Sequence, residues 1–559
     1  MVMSFDEAVS AVTSPGQMFS VTETDVLGRP TKVYENALPS LRSLFDLART
    51  RGDGVFLVYE DERLTFDDVM AQVDAIADML VNRFDVQKGD RVAIGMRNYP
   101  EWITSFAAIT SIGAIAVSLN AWWTAEELAY GLEDSGTSVL IADQERADRA
   151  EGAFDTLGVH TIVVRSTGTL PPGAVRLEDV LTPGASMPDI TIDPDDDATI
   201  LYTSGTTGHP KGAVSTHRAV VHGLFSFACR AAANGLCTVP PDEPHPYPTS
   251  FILIVPLFHV TGCVAVMLSS WLGGAKLVLM YKWGPERALE LIERERITNF
   301  VGVPTMSWDL LESPDFATRD TSSLLAVGGG GAPAPPELVR RVENSFSRGR
   351  PQIGYGMTET NAYGPGNTGD DYVRKPKSTG RWVPPMDIKI AGPDGEALPP
   401  GEVGEICFRG PMLIRGYWNK PEATAETIVD GWLFSGDIGR VDDEGFLYVE
   451  DRAKDMVIRA GENIYCAEVE AAIYEHPGVY EAAVFGIPHE RLGEELVAAV
   501  FLKPDAAVTA EELQAHVGEK LAPFKVPSRI VFVTSQLPRG ASGKILKREL
   551  RDDLVAETS

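Results

Sequence analysis

One tract near the middle of the chain has the residue types of a phosphate-binding loop: Tyr202-Thr-Ser-Gly-Thr-Thr-Gly-His-Pro-Lys-Gly212. Its glycines let backbone N–H groups approach phosphate oxygens closely, and Lys211 adds a positive charge. A Walker A loop is excluded, because Gly212 follows the lysine where that loop has Ser or Thr. A flexible surface linker would have a similar composition, but a strand directly before the tract favours a phosphate loop. The residues that would surround the phosphates are Thr203, Ser204, Gly205, Thr206, Thr207 and Gly208.

Three further segments place charged residues where they could do chemistry. Gly354-Tyr-Gly-Met-Thr-Glu-Thr360 is expected at the end of a strand, and Trp432-Leu-Phe-Ser-Gly-Asp-Ile438 carries the carboxylate of Asp437. Near the end of the chain, Leu537-Pro-Arg-Gly-Ala-Ser-Gly-Lys-Ile545 presents Lys544 on a loop that two glycines loosen. Taken alone, each of these charges could simply be solvated at the surface.

Two segments with few charges could border a ligand. Gly328-Gly-Gly-Gly-Ala-Pro333 follows a predicted strand, and glycines in such a place favour close approach of a ligand to the backbone. His259 lies in Pro256-Leu-Phe-His-Val-Thr-Gly262. A single histidine beside an apolar strand is most often a core residue.

The elements that must position these residues alternate between strands and helices. Short apolar runs such as 91–94, 138–141, 200–202, 251–255, 276–280 and 324–327 predict buried strands, and 286–294 and 336–346 predict helices between them. Such alternation predicts an α/β body of parallel sheets covered by helices. Short strands from Asp387 predict a small β subdomain, and the pattern from Met456 predicts a small α+β domain. The expected domains are residues 1–452 and a mobile domain of residues 453–559.

In this order the motifs resemble the acyl-adenylate-forming superfamily of acyl-CoA synthetases, luciferases and peptide-synthetase adenylation domains. The resemblance runs from Tyr59-Glu-Asp-Glu-Arg-Leu-Thr65 to Lys544-Ile-Leu-Lys-Arg548 and is greatest to fatty acyl-CoA ligases. It implies that ATP activates a carboxylic acid to an acyl-adenylate, with Mg²⁺ as cofactor, and that the acyl group then passes to the thiol of coenzyme A.

The resemblance also implies roles for individual residues in the first step. Tyr355 would stack on adenine, Thr358 would touch the α-phosphate, and Glu359 with Thr203 would bind magnesium. Asp437 and Arg452 would hold the ribose, while Lys544 would bridge the attacking carboxylate and the α-phosphate. The expected catalytic set is Lys544, Thr358, Glu359, Lys211 and His259. Further expected nucleotide contacts are Gly331, Ala332, Pro333, Gly356 and Met357, and the expected acyl pocket comprises His259, Val260, Gly329 and Gly330.

For the second step, the resemblance implies that the small domain rotates about Lys454. This motion would withdraw Lys544 and bring Gly461 to the active site to make room for coenzyme A. Two residues depart from the family pattern near this loop: Cys466 stands where many relatives have proline, and Ala460 where some have lysine.

Composition limits the partners and the location of the protein. The chain has 559 residues and a formal net charge of -30, which opposes binding to nucleic acid. Five scattered cysteines and an acidic start without a signal-peptide pattern predict a cytoplasmic enzyme. Residues 262–280 are apolar, but they divide more naturally into a helix and a strand than into a membrane span. A homodimer is possible.

The predicted substrate is a medium- or long-chain fatty acid or a similar hydrophobic carboxylic acid. An aryl, terpenoid or steroid side-chain acid fits the same motifs. Alternatives are a ligase that loads a carrier-protein thiol or stops at the acyl-adenylate, and a non-catalytic nucleotide-binding protein. The last would have lost Lys544, Glu359 or Lys211, and all three are present.

Overall fold

The structure is a computed structural model that describes residues 2–203, 210–239, 243–459, 462–489, 491–504, 506–540 and 543–558, with backbone only at 154–155 and 556–558. An N-terminal helix and hairpin that the sequence did not predict open the chain. The first elements are α1 Phe5–Thr13, β1 Val21–Val26, β2 Arg29–Tyr34, α2 Leu41–Ala48, β3 Val55–Tyr59, β4 Glu62–Thr65, α3 Phe66–Phe84, β5 Arg91–Gly95, α4 Pro100–Ser111, β6 Ile115–Ser118, α5 Ala125–Ser135, β7 Val139–Asp143, α6 Gln144–Leu157, β8 His160–Val164, β9 Val175–Arg176, α7 Leu177–Val180 and β10 Asp197–Thr203.

The middle of the chain continues the alternation of strands and helices. A π-helix, Thr261–Leu268, directly precedes α9, so the apolar stretch 262–280 does divide into helix and strand. The elements are β11 Lys211–Thr216, α8 His217–Leu236, β12 Ser250–Leu253, α9 Ser269–Gly273, β13 Lys276–Leu279, α10 Pro285–Glu295, β14 Asn299–Gly302, α11 Pro304–Glu312, β15 Ala326–Gly330, α12 Pro336–Ser345, β16 Arg350–Gly354, β17 Gly366–Thr368 and α13 Gly369–Arg374.

Two eight-stranded sheets form the large body. The first has the order β10-β6-β5-β7-β8-β9 extended at one end by β11 and a strand at Gly416–Tyr417, and the second has the order β17-β16-β15-β14-β12-β13-β3-β4. Inside both sheets the strands run parallel, as predicted, whereas β11, β17 and β4 pair antiparallel near the edges. Strands buried on both faces explain the continuous apolar runs in the sequence.

The strand at the glycine tract differs from the prediction. It was expected at 324–327, but β15 is Ala326–Gly330 and therefore contains three glycines. A Cβ added at Gly328 would lie 2.0 Å from the Gln352 carbonyl oxygen, and one at Gly329 would lie 1.9 Å from the Gly302 carbonyl oxygen. The neighbouring strands therefore approach too closely for any other residue.

The β subdomain and the C-terminal domain follow. The β subdomain contains β18 Asp387–Ala391, β19 Gly404–Arg409, β20 Gly416–Tyr417, α14 Pro421–Thr427, β21 Ile428–Val429, β22 Trp432–Val441 and β23 Leu447–Arg452; its β20 joins the first sheet. The C-terminal domain contains β24 Val457–Arg459, β25 Glu462–Ile464, α15 Cys466–Tyr474, β26 Val479–His489, β27 Gly493–Leu502, α16 Ala510–Gly518, β28 Arg529–Val533 and α17 Lys547–Thr558.

The C-terminal domain has apolar cores of its own. Side chains from Val457 to Ile530 form one core, and a second joins the other face of β26 and β27 to α17. The main core of the body draws its members from Phe5 to Val449. No helix in the described residues combines the length and apolar character needed to cross a membrane.

Candidate active site

The ends of several strands bring the predicted nucleotide residues to one edge of the body. Thr203 ends β10 and pairs in register with Lys211, the first residue of β11. The phosphate loop is the connection of this hairpin, and its residues 204–208 lie outside the described residues. Tyr355 directly follows β16, a parallel strand of the second sheet. Ligands of open α/β sheets bind at such carboxyl ends.

A buried carboxylate lies between these strand ends. Glu359 is in a single 3-10 turn, Thr358–Thr360, and is 7% exposed. Its Oε1 accepts a hydrogen bond of 2.7 Å from the Tyr417 hydroxyl. Burial raises the pKa of the Glu359 carboxyl, and this hydrogen bond opposes the shift. The Lys211 ammonium lies 5.1 Å from the centre of the same tyrosine ring, so Tyr417 links the two predicted catalytic charges.

Tyr417 was not predicted as a site residue. It belongs to the two-residue strand β20, which pairs with β11 and therefore lies beside Lys211. In the sequence it is one aromatic residue in Gly416-Tyr-Trp418, and nothing in that spacing indicates a carboxylate partner 58 residues away.

The predicted adenine and ribose residues form a second connected group. The Tyr355 hydroxyl donates a hydrogen bond of 2.6 Å to Asp437 Oδ2, and the backbone N–H of Asp437 donates to Ser435 Oγ. Asp437 of β22 pairs in register with Arg452 of β23, and the Arg452 guanidinium Nε lies 3.5 Å from Asp437 Oδ1. Burial, together with the Asp437 charge, raises the pKa of Tyr355, which keeps the phenol protonated.

Glycines shape the backbone between these groups. A Cβ at Gly356 would lie 2.2 Å from the Ala362 carbonyl oxygen, so the turn that carries Met357 and Thr358 requires glycine there. Gly330 faces the Gly354 carbonyl in the same way, at 2.3 Å. The close packing of neighbouring strands therefore requires glycine at 329 and 330, independently of any contact with the acid. Gly331, Ala332 and Pro333 form the loop between β15 and α12.

Lys544 reaches this cleft from the C-terminal domain. Its Cε lies 3.7 Å from the position of a Cβ added at Gly331, and the preceding Gly543 packs against Val303. The Lys544 residue is exposed to solvent. Desolvation lowers the pKa of Lys544 to about 8, and the Arg452 cation adds to that shift. The Asp437 and Glu359 carboxylates oppose it.

His259 lies near enough to Lys544 for the two charges to interact. Burial lowers the pKa of His259 to about 4, and the Lys544 charge contributes to this, so the imidazole is neutral at neutral pH. Its Nε2 is shielded from solvent and has no hydrogen-bond partner in the part of the chain that the structure describes. Val260 beside it is buried. Such a nitrogen can accept or donate one hydrogen bond to a ligand.

The predicted hinge lies between the two domains. Lys454 is exposed in the turn that joins β23 to β24, whereas Ala460 and the predicted coenzyme A contact Gly461 lie outside the described residues. Cys466 begins α15, and its backbone N–H donates a hydrogen bond to the Asp451 carboxylate across this turn. Proline has no N–H, so a proline at position 466 would remove this bond.

The residues present fit a magnesium ion. Glu359 offers a buried carboxylate, the hard oxygen ligand that Mg²⁺ prefers, and Thr203 offers a hydroxyl. Within the described residues no group of three or more His, Cys, Asp or Glu side chains is arranged to hold a metal. A cation here would therefore complete its shell with phosphate oxygens and water.

Comparison with known proteins decides the family. A sequence profile of the AMP-binding enzymes matches residues 44–418, and a profile of the AMP-binding enzyme C-terminal domain matches residues 468–544. The chain belongs to the AMP-binding enzyme family. Among curated members, a feruloyl-CoA synthase from an Amycolatopsis species is 37% identical, over 87% of this chain and 93% of its own length. A long-chain-fatty-acid–CoA ligase from Bacillus subtilis is 34% identical, over 93% and 96%.

A solved structure of this family supports the same assignment. The o-succinylbenzoate CoA synthetase of Bacillus subtilis, bound to its acyl-adenylate intermediate, superposes with a TM-score of 0.77 at 31% identity and covers 92% of this chain and 98% of its own. This AMP-binding enzyme is accordingly an AMP-forming acyl-CoA synthetase, with a carboxylic acid, ATP and coenzyme A as substrates. The predicted fold class and reaction are confirmed.

Proposed function

We propose that the acid is a hydrophobic carboxylic acid, in the first place a medium- or long-chain fatty acid. The observation that carries this proposal is the apolar packing on one side of Lys544: Gly331 and Gly543 both lie against Val303, and Met306 lies beside Gly543. His259 faces the same space as a neutral ring. Apolar residues in this place favour an apolar chain whose carboxylate points towards Lys544.

In the first step, the acid carboxylate attacks the α-phosphorus of ATP and pyrophosphate leaves. Lys544 stabilises the charge that develops between the carboxylate and the α-phosphate, while Lys211 and Thr358 hold the phosphates. Tyr355 stacks on adenine and Asp437 with Arg452 binds the ribose. The carboxylate needs no base, so positioning and charge stabilisation supply most of the rate.

Magnesium belongs to this proposal. Glu359 and Thr203 would hold it, and it would neutralise charge on the phosphates and on the leaving pyrophosphate. Because burial disfavours the ionised Glu359, a cation beside it would also stabilise the carboxylate form.

In the second step, residues 453–559 rotate as one domain about Lys454, away from residues 1–452. The separate cores on either side of residue 452 support this division, since few apolar contacts would have to break. Gly461 would then face the pantetheine arm of coenzyme A.

A second candidate is an aryl acid with a short unsaturated linker. It is favoured by the 37% identity to a feruloyl-CoA synthase. Gly354 at the end of β16 fits it as well, because a Cβ added there meets nothing within 4 Å and so leaves open space at the site.

The proposal also includes a cytoplasmic location and a homodimer. All five cysteines are free thiols, which agrees with a reducing compartment. Light scattering on the purified chain would measure its oligomeric state.

The experiment is a panel of medium-chain, long-chain and aryl acids with ATP, magnesium and coenzyme A. AMP and thioester are quantified together by mass spectrometry. The proposal predicts both products, highest with a fatty acid; an aryl optimum would select the second candidate. Acyl-adenylate without thioester would instead indicate a carrier-protein thiol as acceptor.

A further inference from the structure

A buried amide joins the two large sheets beside the acyl site. Asn98 lies between β5 of the first sheet and α4, and is 5% exposed. Its Oδ1 accepts a hydrogen bond of 2.9 Å from the Leu257 backbone N–H. Its Nδ2 donates to the Val255 carbonyl at 3.1 Å and to the Met280 carbonyl at 3.3 Å. Backbone N–H groups only donate and carbonyls only accept, so these partners define the orientation of the amide.

Two of these partners belong to the segment that carries His259. This acyl-site loop, residues 254–260, connects β12 to the π-helix, and π-helical turns are frequent at functional sites. The loop has little freedom at its far end: a Cβ at Gly262 would lie 2.2 Å from the Pro256 carbonyl oxygen, and the His259 N–H donates to that same oxygen. At the near end, Asn98 forms hydrogen bonds with Val255 and Leu257, the residues directly before and after Pro256.

The neighbouring residue makes a second link between the same two sheets. The Arg97 guanidinium lies 5.1 Å from the centre of the Tyr281 ring and 5.3 Å from that of Trp122. Tyr281 follows Met280, which accepts a hydrogen bond from Asn98. The segment after β5 therefore contacts the residues that follow both β12 and β13.

We propose that Asn98 is a positioning residue for the acid. Its hydrogen bonds fix the position of the acyl-site loop, and therefore of His259 and Val260, relative to Lys544. The inference rests on the proposed function, in which this loop borders the acid. The nucleotide groups are held by other elements, Thr203 and Lys211 by the β10–β11 hairpin and Tyr355 by Asp437. A shift of the acyl-site loop therefore weakens use of the acid and spares use of ATP.

The test measures KM for the acid and for ATP in pyrophosphate release, in Asn98→Ala and in Asn98→Asp. The aspartate keeps the acceptor for Leu257 but places a carboxylate against two carbonyl oxygens. Asn367→Ala is the matched control, because Asn367 is also buried and also donates to two backbone carbonyls, in the 375–378 segment. We expect KM for the acid to rise about tenfold or more in both Asn98 variants, with KM for ATP changed less than about twofold.

A merely structural amide would lower the melting temperature of Asn98 and Asn367 variants alike and leave both KM values unchanged, and that result would overturn the inference. An equal rise in KM for ATP would overturn it too. If the alanine variant does not fold, the aspartate variant carries the same two readouts. Turnover of the acid panel by the unaltered enzyme tests the proposed function separately, so its failure is distinguishable from failure at Asn98.

Discussion

In the N-terminal body, two half-buried tyrosines hold the buried site carboxylates through short hydrogen bonds, Tyr417 to Glu359 at 2.7 Å and Tyr355 to Asp437 at 2.6 Å. Lys544 reaches the same cleft from another domain, which touches the body through contacts such as Tyr480 to Asp309 at 3.0 Å and Arg539 to Thr305 at 3.3 Å. The body side is held by hydrogen bonds within one domain, whereas the Lys544 side is held by contacts between two domains, which include these two polar contacts and the packing of Gly543 against Val303. This difference agrees with the proposed two-step reaction, in which Lys544 leaves the site before the coenzyme A thiol enters.

The largest effect is expected on the Lys544 side, in adenylate formation. Lys544→Ala removes the charge that stabilises the transition state in the proposed mechanism, and we expect a loss of about a hundredfold to a thousandfold in pyrophosphate release. Arg548→Ala, an exposed cation of the same domain, is the control and should retain activity. Equal losses in both variants would show that the effect comes from damage to the domain.

The next effect tests the body side. Tyr417→Phe removes the hydrogen bond that favours the ionised Glu359, so the pKa of this buried carboxyl rises further. We expect roughly tenfold slower adenylate formation, the equivalent of one hydrogen bond to a charged group, and an acidic limb of the rate profile at higher pH. The measurement is kcat/KM for ATP as a function of pH. An acidic limb at the same pH as in the unaltered enzyme would show that the ionisation of Glu359 does not control the reaction.

The alkaline limb of the same profile reports on Lys544. Because desolvation lowers the pKa of Lys544 to about 8, its cationic form is lost as the pH rises through that value. In the free enzyme, kcat/KM for adenylate formation should therefore fall with an apparent pKa of about 8. A profile that stays level to pH 10 would contradict this role.

The smallest effect concerns the contact between the domains. Tyr480→Phe removes one interdomain hydrogen bond to Asp309, which Trp283 also contacts. We expect adenylate formation to slow about twofold to tenfold, with no slowing of thioester formation. Tyr474→Phe is the matched control, since that hydroxyl bonds within its own domain. Slower thioester formation in Tyr480→Phe would show that the contact serves both steps.

The sequence predicted the elements better than their contacts. Strands β5, β7 and β10 and helices α10 and α12 agree with the predicted runs within a few residues, because buried parallel strands and amphipathic helices leave strong patterns. The antiparallel edge strands were missed, since pairing direction at an edge depends on the connection and not on composition. The prediction of Lys211 as a site residue rests on its local motif, and that of Glu359 rests on the family resemblance of its motif. Tyr417 and Asn98 were not predicted, because each acts through a hydrogen bond or ring contact to residues distant in sequence.

The most direct test of the central claim, that one side of the site leaves after the first step, uses the second half-reaction alone. Lys544→Ala and the unaltered enzyme are each given prepared acyl-adenylate and coenzyme A, and the initial rate of thioester formation is measured. If Lys544 serves only the first step, the two rates agree within about twofold. If the variant is as defective here as in adenylate formation, Lys544 does not leave the site between the steps. The proposal that the C-terminal domain moves away after the first step is then wrong.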